Sequence, residues 1–249
     1  KKYQNPMSEE IVYDLIKKFK YIVPQGSPMS GIGNEFQVGS LSNCFVIGLD
    51  GAPDSYGGII KIDEEQVQLM KRRGGVGHDL SHIRPKGSPV KNSALTSTGL
   101  VPFMERYSNS TREVAQDGRR GALMLSVSIK HPDSEAFIDA KMTEGKITGA
   151  NVSVRIDDEF MNAVKDCMES GEDKVLHIKR TYGGEEIEYD IDVMKLYDTL
   201  CDHALKYAEP GILYTDRLFN YNLMQFDNDY QILSTNACSE QPLVKHGMC

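Results

Sequence analysis

Three polar side chains alternate in Asn236-Ala237-Cys238-Ser239-Glu240. In an extended chain, residues two apart face the same way, so an amide, a thiol and a carboxylate would converge on one small volume. An amide can orient a hydroxyl and a carboxylate can take its proton. A thiol can attack as a nucleophile or, after one-electron oxidation, abstract hydrogen. Polar residues are also common in a turn that follows a strand, so spacing alone leaves a purely structural role equally open.

The chain carries five cysteines. Cys167 falls on one helical face with Phe160, Met161, Val164 and Met168, and Cys201 with Met194, Tyr197, Ala204 and Leu205. Both read as small buried hydrophobes. The other three sit elsewhere. Cys44 opens an apolar run after the loop Gly39–Asn43, Cys238 follows another such run, and Cys249 lies beyond Pro242 and the His246-Gly247 pair. A zinc site is disfavoured, because no CxxC pair or paired-histidine spacing occurs. No metal ligand is assigned. The remaining histidines carry no functional assignment either.

Alternating apolar segments must position these residues. Helices are expected over Ser8–Tyr21, Asp63–Arg73, Leu100–Gln116, Asp157–Met168 and Val193–Ala208. Strands are expected over Cys44–Leu49, Gly121–Ser128, Ala150–Ile156 and Tyr230–Ala237. Lys174–Arg180 and Glu185–Asp192 read as a hairpin around Gly183-Gly184. Gly74-Gly75 reads as a helix stop. The order suggests an α/β fold with much parallel pairing. With no repeat or linker, residues 1–249 read as one catalytic-domain fragment, cut at both ends.

Composition narrows the function classes. The 249 residues are 40% hydrophobic and 26% charged, which supports a packed core. A formal charge of −8 argues against a general nucleic-acid binder, although a local phosphate site needs only a few cations. No apolar run reaches membrane-spanning length, and no secretory signal is visible. An odd number of cysteines without such a signal suits a cytoplasmic protein with free thiols.

Several motifs together resemble one family. Asn236-Ala237-Cys238-Ser239-Glu240-Gln241-Pro242-Leu243 resembles the radical-site loop of ribonucleotide reductases. Leu41-Ser42-Asn43-Cys44-Phe45-Val46 is similar to the strand of that family's first redox cysteine, and Gly247-Met248-Cys249 to the second. Arg73–Gly77, Ile83–Val90 and Gln116–Ala122 match in order and wording, so the likeness runs from Ser27 to Cys249. It implies the N-terminal part of that family's ten-stranded α/β barrel, incomplete in this fragment.

The resemblance also implies a chemistry. A thiyl radical on Cys238 would take the ribose 3′ hydrogen, Glu240 would be the general base, and Asn236 would hold the substrate. Cys44 and Cys249 would supply reducing equivalents and end as a disulfide, reset by a thioredoxin- or glutaredoxin-type reductant. That pairing requires Cα atoms about 4.4–6.8 Å apart. Ser27, Asn43 and Gly75 would bind the ribonucleotide, with the Gly75 backbone close to it.

An allosteric nucleotide, a deoxynucleotide or ATP, is implied at a homodimer interface. Asp54 and Ser55 would lie near its ribose, and Arg84 and Lys91 at its phosphates. Gln116 and Arg120 would belong to a loop relaying effector identity. The wording and the ten residues between Cys238 and Cys249 look most like the adenosylcobalamin-dependent class; a dimetal partner subunit is the other radical source. A non-radical thiol oxidoreductase and a non-catalytic nucleotide-sensing module remain the alternatives.

Overall fold

The computed structural model describes residues 5–49, 51, 53–114, 121–223, 226–227 and 230–249. Its centre is a five-stranded parallel sheet in the order β1-β2-β3-β4-β7. These strands are β1 (Cys44–Val46), β2 (Gly75–Asp79), β3 (Leu123–Ser128), β4 (Asn151–Ile156) and β7 (Gly211–Tyr214). No closed barrel is formed among the described residues, consistent with part of one.

The runs LMLSVS in β3 and NVSVRI in β4 are buried nearly throughout, as parallel strands covered on both faces must be. Helices α3 (Tyr56–Met70), α4 (Val101–Glu113), α5 (Ser134–Ala140), α6 (Asp158–Ser170) and α7 (Val193–Tyr207) supply the cover on the face of Leu125 and Val154. Phe137, Phe160, Met104 and Tyr107 reach from them into a core with Leu125 and Val154. A two-stranded ribbon, β5 (Val175–Tyr182) with β6 (Glu185–Asp192), turns at Gly183-Gly184 as expected. Both turn glycines have positive φ, the conformation such a tight turn demands.

The helix starting with Asp157 shows how locally the sequence acts. The Asp157 carboxylate accepts the Phe160 N–H at 3.0 Å, and Asp158 and Glu159 occupy the first turn. Gly171 ends it in the left-handed conformation.

Other segments depart from expectation. The first helix, α1, covers only Glu9–Ile16 and buries none of its side chains; positive φ at Lys18 and Phe19 interrupts it. Helix α3 begins seven residues before Asp63, because the Ser55 hydroxyl caps it at Gly58 N. Gly75 opens a central strand instead of ending a helix. The short helices α2 (Gly26–Gly31) and α8 (Thr215–Asn220) precede β1 and follow β7. Cys201 is exposed, while Cys167 is buried as expected. Helix α7 packs on α5 and α6, which leaves the Cys201 face outside that contact.

The last strands form a separate antiparallel hairpin, β8 (Ile232–Thr235) with β9 (Pro242–Val244). It lies across β2 where side chains are missing. A Cβ on Gly48 would overlap Leu233, and one on Gly77 would overlap the Thr235 carbonyl. One on Gly75 would stand 2.9 Å from the Ala237 Cβ. Gly75 and Gly77 are two apart in one strand, so they bare the same face. The three glycines make a groove that lets β8 rest on the sheet.

Candidate active site

The hairpin delivers residues 236–241 to the end of the sheet where β1 and β2 begin. These residues form a tight turn, not the extended segment expected. Asn236 N donates to Gln241 O at 3.0 Å, and Ser239 N donates to Asn236 O at 3.1 Å. Ser239 adopts φ +70°. The turn still brings Asn236 and Glu240 together, by reversing the chain instead of by strand alternation. Asn236 Nδ2 donates to Glu240 Oε1 at 2.6 Å, and Gln241 N donates to Asn236 Oδ1 at 3.1 Å. Asn236 is fully buried, whereas Cys238 and Glu240 are exposed. The amide therefore organises the turn, and the thiol stands at its tip.

After β9 the chain turns at His246 and runs antiparallel beside β1. Val46 N donates to Gly247 O at 2.9 Å, and Cys249 N donates to Cys44 O at 3.1 Å. These bonds flank the bridge Phe45–Met248 and place Cys44 opposite Cys249. Directly opposed residues at such a hydrogen-bonded position lie about 5.5 Å apart at Cα, within the span a disulfide bridges. The Cys44 thiol lies beside Cys249 and Asn236. Burial, then the Cys249 contact, pushes the Cys44 thiol up to about 12. It stays protonated at neutral pH, the state that donates hydrogen and not the one that attacks.

Ser27, Asn43 and Gly75 also meet here. Ser27 N donates to Asn43 Oδ1 at 2.9 Å, and Gly75 N donates to Asn43 O at 2.7 Å. The space beside Gly75 is taken by Ala237, next to Cys238 in the chain. Its glycine thus admits the turn itself. Among the described residues, no group of three or more His, Cys, Asp or Glu side chains could hold a metal ion.

Asp54, Ser55, Arg84 and Lys91 lie apart from this turn. They line a cavity of about 1280 Å³ walled by the start of α3, the segment 81–98 and the β5–β6 turn. Arg84 donates its backbone N and Nε to the two Asp54 carboxylate oxygens, both at 2.7 Å, and Nη1 to Pro89 O at 2.6 Å. Arg84 is thus committed to an ion pair that shapes the wall. Lys91 is exposed and has no ion pair among the described residues. Gln116 and Arg120 lie outside the described residues.

Sequence reasoning missed the glycine groove and the contribution of Arg180–Glu185 to the cavity wall. The groove left a trace, two glycines at alternate positions in Gly75-Val76-Gly77. The wall left none, because it joins segments far apart in the chain.

The structure is an α/β domain whose parallel sheet, with helical cover, brings Cys44 and Cys249 together across an added strand. The chain belongs to the ribonucleotide reductase family: residues 42–249 match the family model described as "Ribonucleotide reductase, barrel domain". It is 31% identical over 229 residues to a vitamin B12-dependent ribonucleoside-diphosphate reductase of Thermoplasma acidophilum, covering 91% of this chain and 28% of that protein. A protein of the same description from Mycobacterium tuberculosis (strain ATCC 25618 / H37Rv) is 28% identical over 237 residues, covering 94% of this chain and 31% of that one. Similarity extends to ribonucleoside-diphosphate reductase large chain 2 of Saccharomyces cerevisiae, 36% identical over 108 residues, 43% of this chain and 12% of that one. The chain spans less than a third of the length of these relatives.

Proposed function

We propose that the chain is part of the catalytic subunit of an adenosylcobalamin-dependent reductase that converts ribonucleoside diphosphates to 2′-deoxyribonucleotides through a thiyl radical on Cys238. The observation that carries this reading is the meeting of Cys44 and Cys249 on adjacent strands beside the Asn236–Glu240 turn. The names of the similar proteins support the reaction and the cofactor class.

In this reading the Cys238 radical takes the 3′ hydrogen atom while Glu240 accepts the 3′ hydroxyl proton. The 2′ hydroxyl leaves as water with a proton from the thiol pair. Cys44 and Cys249 give up two electrons and two protons in all and become a disulfide. Cys238 returns a hydrogen atom to C3′ and is a thiyl again. A small dithiol protein of the thioredoxin or glutaredoxin type then reduces the disulfide. Bound adenosylcobalamin would supply the one-electron oxidation of Cys238. The exposed position of that thiol suits an external oxidant.

The cavity beside Asp54, Ser55 and Lys91 is read as the site of a nucleotide effector, at a contact between two copies of the chain. Its size exceeds that of common small-ligand pockets, about 300–1000 Å³. Lys91 offers an exposed cation for a phosphate.

The test uses the full-length protein. Deoxyribonucleotide formation is measured with and without adenosylcobalamin and again in Cys238→Ala. Turnover is expected only with the cofactor and the native cysteine; turnover that survives the substitution overturns the radical reading. A non-radical thiol oxidoreductase using Cys44 and Cys249 would keep its activity in Glu240→Gln. A nucleotide-sensing module would bind nucleotide yet form no product under any condition.

A further inference from the structure

Among the described residues, strand β8 makes its ladder with β9 alone, so no strand pairing there fixes it on the glycine groove. The glycines admit the strand, with Leu233 and the Thr235 carbonyl seated where side chains are missing. At one end the hairpin is held by the pairing of residues 246–249 with β1. At the other end two hydrogen bonds tie β8 to the sheet among the described residues. Arg155 Nη1 donates to Leu233 O at 3.4 Å, and the Ser126 and Ser234 hydroxyls meet at 3.4 Å.

Both ties run through one carboxylate. Asp79, at the end of β2, accepts from Arg155 Nη1 at 3.0 Å and from Ser126 Oγ at 2.9 Å. Ser81 adds its N–H at 3.0 Å and its hydroxyl at 3.1 Å. Burial would raise the Asp79 carboxyl, but Arg155, then His82 and the hydrogen bonds, hold it below the usual carboxylate range. The carboxylate is thus charged and almost enclosed. The Phe219 ring lies 6.0 Å from the Arg155 guanidinium on a further side. A charge pair held this closely has few alternative arrangements.

We propose that Arg155, clamped by Asp79, is a positioning residue for the Cys238 turn: it sets where β8 lies along the glycine groove. Its bearing on turnover rests on the function proposed above. Cys44 reports the position of β8, since it is buried beneath Asn236 and Cys249. Cys167, buried on α6 away from the hairpin, reports general loosening.

The experiment alkylates the full-length protein with iodoacetamide and follows Cys44 and Cys167 by peptide mass spectrometry. Arg155→Met is expected to speed Cys44 labelling about tenfold with Cys167 unchanged, and Arg155→Lys to fall between it and the native protein. In turnover assays the Met variant should lose kcat, with substrate KM within about twofold. Native labelling of Cys44, or Cys167 rising in step with it, overturns the proposal. Should Arg155→Met not fold, Arg155→Lys decides: about threefold faster labelling of Cys44 alone supports the proposal, and the native rate overturns it. If the native protein forms no deoxyribonucleotide, the functional reading fails while the labelling ratio still decides this one.

Discussion

Cys249 donates its backbone N–H to the carbonyl of Cys44 at 3.1 Å, so two thiols far apart in the chain face each other across one rung of a ladder. Mild oxidation of the full-length protein should therefore link Cys44 to Cys249, leaving Cys238 free. Peptide mapping checks this. A disulfide that includes Cys238 would contradict the pairing.

The carboxylate of Glu240 accepts from Asn236, a bond that a glutamine at this position could also accept through its side-chain oxygen. Glu240→Gln should thus keep the turn and the thermal midpoint while removing the base. Turnover is expected to fall about 10²–10⁴-fold. Retained activity would favour thiol exchange without a radical.

The raised Cys44 thiol makes a signed prediction about pH. The unfolded thiol loses its proton near its ordinary value of 9.0, whereas the folded one holds it to about 12. The folded state binds more protons in that window, so this contribution to stability is full below pH 9 and declines from pH 9 to 12. Chemical denaturation across that range should show a slope that Cys44→Ser reduces. An identical slope in the variant would remove Cys44 as its source.

Gly77→Ala would drive a methyl group into the Thr235 carbonyl. Backbone cannot give way as a flexible side chain does, so the hairpin must lift from the sheet. Overpacking of this kind costs about 1–3 kcal/mol in denaturant unfolding. A native-like stability would show that β8 does not rest on the groove in solution.

Lys91→Ala should weaken ATP or dATP binding about tenfold, the loss of one charged hydrogen bond. Arg84→Ala should cost more, because it also leaves Asp54 without its ion pair. Equilibrium dialysis reads both. Unchanged affinity in the two variants would move the nucleotide site elsewhere.

Local chemistry explains which parts were legible beforehand. Asp157, Gly171 and the spacing of Phe160 and Val164 specify a helix within a dozen residues, and α6 forms there. The β5–β6 hairpin likewise follows from its turn glycines. Strand β2 escaped because Gly75 and Gly77 have poor strand propensity; their role is to admit β8, more than 150 residues later. The identities Asn236, Cys238 and Glu240 were visible, but their geometry was not: Ser239 takes a left-handed conformation that no glycine announced. Cys201 has the right helical period for burial but faces outward, since periodicity does not say which neighbour covers a face.

Strand β1 borders the five-stranded sheet, and its outer edge is closed by residues from the far end of the described chain. During translation that edge must wait. At cellular elongation rates the interval is on the order of ten seconds or more, with Phe45 and Val46 beside an unpaired backbone. An open edge of this kind recruits other nascent chains. Partial products released before the closing segment emerges are therefore predisposed to aggregate.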